Sequence, residues 1–287
     1  MRYVKQRLCG IIAAALVSVS VAGVVQISEA GLIPYSVIGV NEFNLPIKYE
    51  PFNAFLSYNI YRDEGKAWEG ESSARGTFLT VEKYARFFRI DALPDVGFLW
   101  EAVVGGGSLT NKNDTSNTGM IDAQTGFLAW IRPTPNLVTG FEYFLYLPIG
   151  SNELSGHSFD NSIAFCANYK LVGFTFDGDI GYKIRGDYRH DGVHAEQGDT
   201  LFGNVSLAYQ FMKNIEPLLK LDYQATGPGK DKATDVKTSG SEELALGIGN
   251  HFTLTDKLSG DIWYTHGFTG RNTTKTNSVY VKIAYVF

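Results

Sequence analysis

One pattern repeats along almost the whole chain. Apolar residues alternate with polar or small ones over short stretches, and the breaks between stretches are long and short in turn. The closing stretch "NSVYVKIAYVF" puts Val279, Val281, Ile283, Tyr285 and Phe287 on one face. Ser278, Tyr280, Lys282, Ala284 and Val286 fall on the other. Period two is the signature of a β-strand. "EELALGIGNHFTL", "IEPLLKLDYQA" and "LVGFTFDGDIGYK" behave alike: Val172, Phe174, Phe176, Ile180 and Tyr182 oppose Thr175, Asp177, Asp179 and Lys183. A soluble sandwich could turn one such charged row to water. Its repetition along the chain is not the pattern of a soluble fold.

The breaks narrow the architecture further. "DALPD", "PTPN", a tight turn near Lys170, "MKN" and "TDK" are short. Between them come "RDEGKAWEGESS", "GGGSLTNKNDTSNT", "GSNELSGHSFD", "GDYRHDGVHAEQGD", "TGPGKDKATDVKTSG" and "TGRNTTKTN". Strict alternation of this kind belongs to a transmembrane antiparallel β-barrel with short periplasmic turns and long extracellular loops. A Greek-key sandwich has no reason to show it. The chain is therefore expected to be all-β, with about twelve strands of roughly 9–14 residues. An even count puts both chain ends on the periplasmic side. In lipid no strand edge can stay open, so the last strand must pair with the first. The apolar, aromatic ending Ile283, Tyr285 and Phe287 resembles the signal read by the barrel-assembly machinery of bacteria with an outer membrane.

The start of the chain differs. "MRYVKQRLCG" carries Arg2, Lys5 and Arg7; an apolar run "IIAAALVSVSVAGVVQI" follows, then "SEA". This reads as a secretory signal peptide over residues 1–30, cleaved near Ala30. Losing Arg2, Lys5, Arg7 and Glu29 with it moves the formal net charge from −5 to −7. That acidic balance excludes a nucleic-acid binder, which carries a basic footprint. Only Cys166 would remain, so no internal disulfide is expected. Residues 31–50 do not alternate and are expected to line the periplasmic mouth or fold into it as a short plug. The barrel is assigned to residues 51–287, in the outer membrane of a Gram-negative-type bacterium with its lipid as surroundings.

Phase assigns the lumen. Glu101, Asp122, Arg132, Glu142, Asp177, Asp179, Lys183, Glu216, Lys220, Asp222, Glu243, Asp261 and Lys282 are expected to point inward. So are the aromatics Phe55, Tyr61, Trp130, Phe144, Tyr146, Phe202, Trp263 and Tyr280. The charges read equally as a salt-bridged filling or as a polar path. The aromatics suit a pocket for a small apolar solute, or fill space, or sit one position out of phase as girdle residues at the membrane rim. "TFLTVEKYARFFRI" resists either phase, because one leaves Lys83 and Arg89 toward lipid and the other Glu82 and Arg86; a bulge or a short strand end is expected there.

Catalytic chemistry is poorly supplied. A lipid hydrolase needs a Ser–His pair with an orienting group. His251 faces inward, but no serine is placed beside it; His266 lies near the outer rim, and His157, His190 and His194 lie in loops. His190, Asp191, His194 and Glu196 are close enough in sequence for a metal, as are the oxygen ligands of Asn111, Asn113, Asp114 and Asn117. Both stretches read better as solvated loops. No nucleotide motif and no cofactor is implied.

Two stretches carry a resemblance. "GVNEFNLPIKYEPFNAFLSYNIYRDEGKAW" and "GFEYFLYLPIGSNELSG" are similar to the opening and the mid-barrel strand of the outer-membrane transporter family linked to the meta-pathway of phenol degradation. The turn Leu147, Pro148, Ile149, Gly150 is similar to the family's Leu/Val-Pro-x-Gly turn, with Ile149 where the family often has Thr. The resemblance implies passive movement of small hydrophobic or aromatic molecules across the outer membrane, with no catalytic residues to carry over. A closed-lumen structural or surface-interaction barrel and a lipid-modifying enzyme are the alternatives.

Overall fold

The computed structural model describes residues 38–68, 75–111, 116–151 and 154–287. The signal-peptide assignment and the first part of the 31–50 segment lie outside them. The described residues form sixteen strands. These are β1 (Asn53–Ala67), β2 (Arg75–Phe88), β3 (Gly97–Asn111), β4 (Ser116–Met120), β5 (Ala123–Thr134), β6 (Leu137–Leu147), β7 (Asp160–Leu171) and β8 (Phe174–Ile184). There follow β9 (Tyr188–His190), β10 (Val193–Glu196), β11 (Thr200–Tyr209), β12 (Ile215–Thr226), β13 (Lys230–Asp231), β14 (Ser241–Thr253), β15 (Leu258–Arg271) and β16 (Thr274–Val286).

All pairings are antiparallel. β4 and β5 act as one interrupted strand against β3, so the sheet closes as a twelve-stranded barrel. β9, β10 and β13 make a small separate sheet from the outer loops. Closure runs through β1 and β16, from Ala54 opposite Val286 to Tyr61 opposite Val279. Asn53 and Phe287 exchange both backbone hydrogen bonds at 2.9 Å, so the terminal residue is the last rung of the seam.

Several stretches that read as long outer loops continue the ladder instead. β3 reaches Asn111 and its partner resumes at Ser116; β15 and β16 are joined by residues 272 and 273 alone. Polar residues above the membrane still pair their backbones, and composition does not register that. The periplasmic turn between β7 and β8 is two residues, with Gly173 at φ 78°. There glycine supplies the left-handed backbone that a tight hairpin requires.

Between β4 and β5, Gly106 faces Met120 while Val103 faces Gln124, which leaves one extra residue on the β4–β5 side. This bulge takes Asp122 out of the alternating inner face, where it was expected. Its carboxylate instead accepts from Gly150 N–H at 3.0 Å, Ser155 Oγ at 2.6 Å and Gly156 N–H at 2.7 Å. A bulge re-aims a side chain in this way, and here it holds Gly150, Ser155 and Gly156 of the following connection.

Candidate functional site

The segment before β1 enters the barrel. Ile38, Val40, Phe43 and Leu45 are buried among inward-facing wall residues. Its backbone is held by wall side chains far away in sequence. Asn41 has φ 60°, which aims successive N–H groups the same way. Asn41 N–H and Phe43 N–H donate to the two oxygens of Asp177 at 2.8 and 3.0 Å, and Val40 N–H donates to Asp261 at 3.3 Å. Convergent backbone donors form an anion-binding concavity, and the wall carboxylate fills it. Arg132 donates to the carbonyl of Leu45 at 2.9 Å, and Trp130 Nε1–H to that of Pro46 at 2.8 Å. Trp130 lies over Gly97, where an added Cβ would come within 2.1 Å of its ring; only glycine admits the indole there.

Glu42 forms the ionic anchor. It pairs with Lys282 and accepts from the Tyr58 hydroxyl at 3.2 Å. Burial raises the Glu42 carboxyl, but the Lys282 and Lys83 ammonium groups outweigh it and hold it down to about 2. Lys282 also reaches Asp261 at 3.6 Å, and Asp261 meets His251 Nδ1 at 3.0 Å.

Between this plug and the wall lies a cavity of about 370 Å³. Its apolar lining includes Phe43, Leu45, Phe52, Leu56, Phe87, Leu99 and Leu128; its polar groups include Glu42, Lys83, Glu101, Glu142, His251 and Lys282. It reaches the turn at residues 254–257, so it runs from mid-lumen toward the periplasmic rim. Phe52 stacks on Phe87 at 4.1 Å, and Tyr49 stacks on Trp130 at 6.0 Å, forming an aromatic wall at that end.

A second cavity of about 80 Å³ opens on the outer side, lined by Arg62, Glu64, Arg75, Phe202, Asp222, Glu243 and Tyr280 among others. The two share no lining residue. On β15 the outer cavity touches Thr265 and the inner one Ser259; between them Trp263 is 2 % exposed and stacks on Tyr280 at 4.9 Å. The two are opposed on the adjacent strands β15 and β16, so the stack covers the wall between the cavities there, with Tyr280 facing the outer one.

Most inward assignments coincide with side chains on the lumen face. Trp130, Phe202, Trp263 and Tyr280 are buried, and Phe144 and Tyr146 half-buried. Lys183 bridges Asp160 at 2.9 Å and sits 3.8 Å from the centre of the Tyr146 ring. Asp179 accepts from Asn204 at 2.8 Å, Lys220 meets Asp222 at 3.0 Å, and Glu243 accepts from Thr276 N–H at 2.8 Å. Glu216 sits opposite His251 near the periplasmic end. Phe55 and Tyr61 are corrections. They face outward, 41 and 54 % exposed, opposite Tyr285 and Val279. The cause is the plug: β1 turns Leu56, Tyr58 and Ile60 inward onto it, so the strand's inner face is its apolar one.

β2 carries no bulge against either neighbour. Lys83 is inside, bridging Glu101 at 2.8 Å, while Glu82 faces outward and accepts from Ser57 Oγ at 2.9 Å. The residues missed from sequence are those of the plug and the aromatic wall: Glu42, Phe43, Tyr49, Phe52, Lys83 and Phe87. Paired charges with no consistent lipid-free phase were the available signal for Lys83.

Outside the barrel, His194 and Lys232 both bind Asp187, at 3.0 and 2.6 Å. Hydrogen bonds from Lys232 and His194 hold that carboxyl at about 2. His190 stacks on His157 at 3.7 Å and lies 3.3 Å from Asp191. Among the described residues no group of three His, Cys, Asp or Glu side chains is placed to hold a metal.

The barrel is similar to an outer membrane channel from Pseudomonas putida F1: 13 % identity and a TM-score of 0.75, over 87 % of this chain and 100 % of that one. It is also similar to the β-domain of the Bordetella autotransporter BrkA (9 % identity, TM-score 0.52, 83 % and 100 % covered) and to the NanC porin (11 %, 0.50, 80 % and 98 %). These likenesses speak to the fold, an outer-membrane β-barrel. Curated proteins give no match. The family described as "Putative MetA-pathway of phenol degradation" matches residues 68–283, and the chain belongs to that family.

Proposed function

We propose that this barrel is an outer-membrane channel for passive uptake of small, mostly apolar molecules, aromatic ones included. The observation that carries the reading is the cavity of about 370 Å³ beside the plug. A lumen filled only for rigidity has no use for a void walled by Phe43, Leu45, Phe52, Phe87 and Leu99. Concave apolar sites with a few placed polar groups are how small ligands are bound. The name of the family points to phenol breakdown, which suits an aromatic solute, and the Pseudomonas putida F1 barrel is itself a channel. An enzyme is disfavoured: His251 is taken up by Asp261, and the hydroxyl nearest its other nitrogen is Thr253 at 3.4 Å.

Two cavities that share no lining residue, with buried Trp263 on the wall between them, favour a second reading, a closed barrel. Reconstitution decides between them. Solute influx and single-channel current are measured on the same liposomes, for wild type and Trp263→Ala. A channel takes up toluene-sized solutes, and the variant raises small-ion conductance, since removing bulk cannot narrow a pore. Absence of both uptake and current in wild type, with current appearing only in the variant, would establish the closed reading.

A further inference from the structure

The outward face of the barrel carries a polar panel at the depth of the lipid tails. The seam fixes that depth. On β16 the outward residues run Lys275, Asn277, Val279, Val281, Ile283 and Tyr285, so the apolar band spans Val279 to Tyr285. β1 crosses the same band with Asn59 opposite Val281 and Ser57 opposite Ile283. On β2, Thr80 lies opposite Asn59 and Glu82 opposite Ser57; on β3, Gly106 and Ala102 lie opposite Thr80 and Tyr84. Other walls present Phe141, Ile163, Ile180, Leu219 and Ile248, all more than half exposed. The panel meets only part of its own needs. Ser57 Oγ donates to Glu82 at 2.9 Å, and Thr80 Oγ1 to Asn59 Oδ1 at 3.1 Å. The Nδ2 donors of half-buried Asn59 have no partner among the described residues. Turning the amide over would strand its oxygen instead. Lipid tails offer neither donor nor acceptor, and a polar group left unpaired there is costly.

We propose that this panel is the interface of a two-fold dimer of this chain, with the axis along the membrane normal beside Asn59. Two barrels inserted in the same orientation then set each residue against residues of its own depth. Asn59 Nδ2–H of each copy donates to Asn59 Oδ1 of the other, using the lone pair that Thr80 leaves open. One Asn in an apolar seam fixes register and partner number in coiled coils by the same logic. Association within lipid depends on close packing of small residues and on hydrogen bonds. Ser57, Ala102 and Gly106 supply the small surface, and docking takes Glu82 out of lipid as well. An unlike partner would need its own polar patch at this depth; a second copy brings one by symmetry.

The test uses the full barrel and two measurements. Sedimentation equilibrium of the solubilised protein should show a dimer, and Asn59→Leu should raise its dissociation constant by about tenfold or more, the loss of two hydrogen bonds in a membrane setting. Leucine suits a lipid-facing position, and heat-modifiability confirms that the variant is folded. In outer membranes treated with copper phenanthroline, Asn59→Cys should form a disulfide-linked dimer, because a residue beside the axis meets its own copy within disulfide reach. Ile163→Cys, on β7 across the barrel, should not. Cys166 is buried in the lumen and does not compete. Cross-linking at Asn59→Cys alone upholds the interface even where detergent separates the copies. No cross-link with a monomeric wild type overturns it and leaves the panel to an unlike protein. A dimer indifferent to Asn59→Leu, equal cross-linking at Ile163→Cys, or a trimer overturns it as well.

Discussion

Asp177→Ala should release the plug. Asp177 is fully buried on β8, and its two oxygens accept the N–H groups of Asn41 and Phe43 at 2.8 and 3.0 Å, with Asn168 Nδ2 as a third donor at 2.9 Å. A hydrogen bond to a charged group contributes about 1.5–3 kcal/mol, so losing the two plug bonds costs roughly 3–6 kcal/mol of docking. At 1.4 kcal/mol per decade, the docked-to-undocked ratio falls by about 10²–10⁴. The remaining anchors, Glu42 with Lys282, Arg132 with Leu45 and Trp130 with Pro46, do not replace acceptors for these two N–H groups. Hydrogen–deuterium exchange in the reconstituted barrel should show residues 38–47 losing protection while β14–β16 keep theirs. Single-channel current should rise in parallel. Asn168→Ala is the control: it removes the third bond without touching the plug, and should leave residues 38–47 protected. If Asp177→Ala leaves both protection and current unchanged in a folded barrel, the plug is not held by this carboxylate.

Three further outcomes are expected. Leu221→Arg should destabilise the barrel by roughly 2–4 kcal/mol if it lies near the bilayer midplane, and Asp222→Asn much less; urea titration in lipid ranks them, and the reverse order would refute the phase of β12. Glu42 has its carboxyl lowered from 4.5 to about 2, so its contribution to plug docking is fully present above pH 4.5 and lost as pH falls through about 2; protection of residues 38–47 should be flat from pH 8 to 5, and a loss within that range would contradict the Glu42–Lys282 anchor. Deleting Phe287 removes both 2.9 Å hydrogen bonds to Asn53 and the stack on Tyr285; the yield of heat-modifiable, membrane-inserted barrel should drop, and wild-type yield would count against the seam and the insertion signal together.

Much of this protein is written locally. Alternation is a property of the pleat, since successive side chains must point to opposite faces. A strand crossing lipid therefore declares both faces in its own residues. Asp177, Asp179 and Lys183 against Ile180 and Tyr182, or Lys282 against Val281 and Ile283, could be oriented without any neighbour. Strand count, direction and the closing role of Phe287 follow from the same patterning and from the ban on open edges in lipid.

Where inner and outer solvent stop being water and lipid, local reading fails. Inside β1 the neighbour is the plug rather than water, so Leu56, Tyr58 and Ile60 belong inward and Phe55 and Tyr61 outward, the inverse of the rule that worked elsewhere. Lys83 and Glu82 could not be phased because each needs a partner on another strand, Glu101 and Ser57, to be tolerated where it is. Asp122 was displaced by a single extra residue that no composition marks. The plug itself is joined to Asp177 across 134 and 136 residues and to Lys282 across 240. Contacts of that separation carry no periodic signature, so the plug and the cavity beside it exist only once the barrel has closed around them.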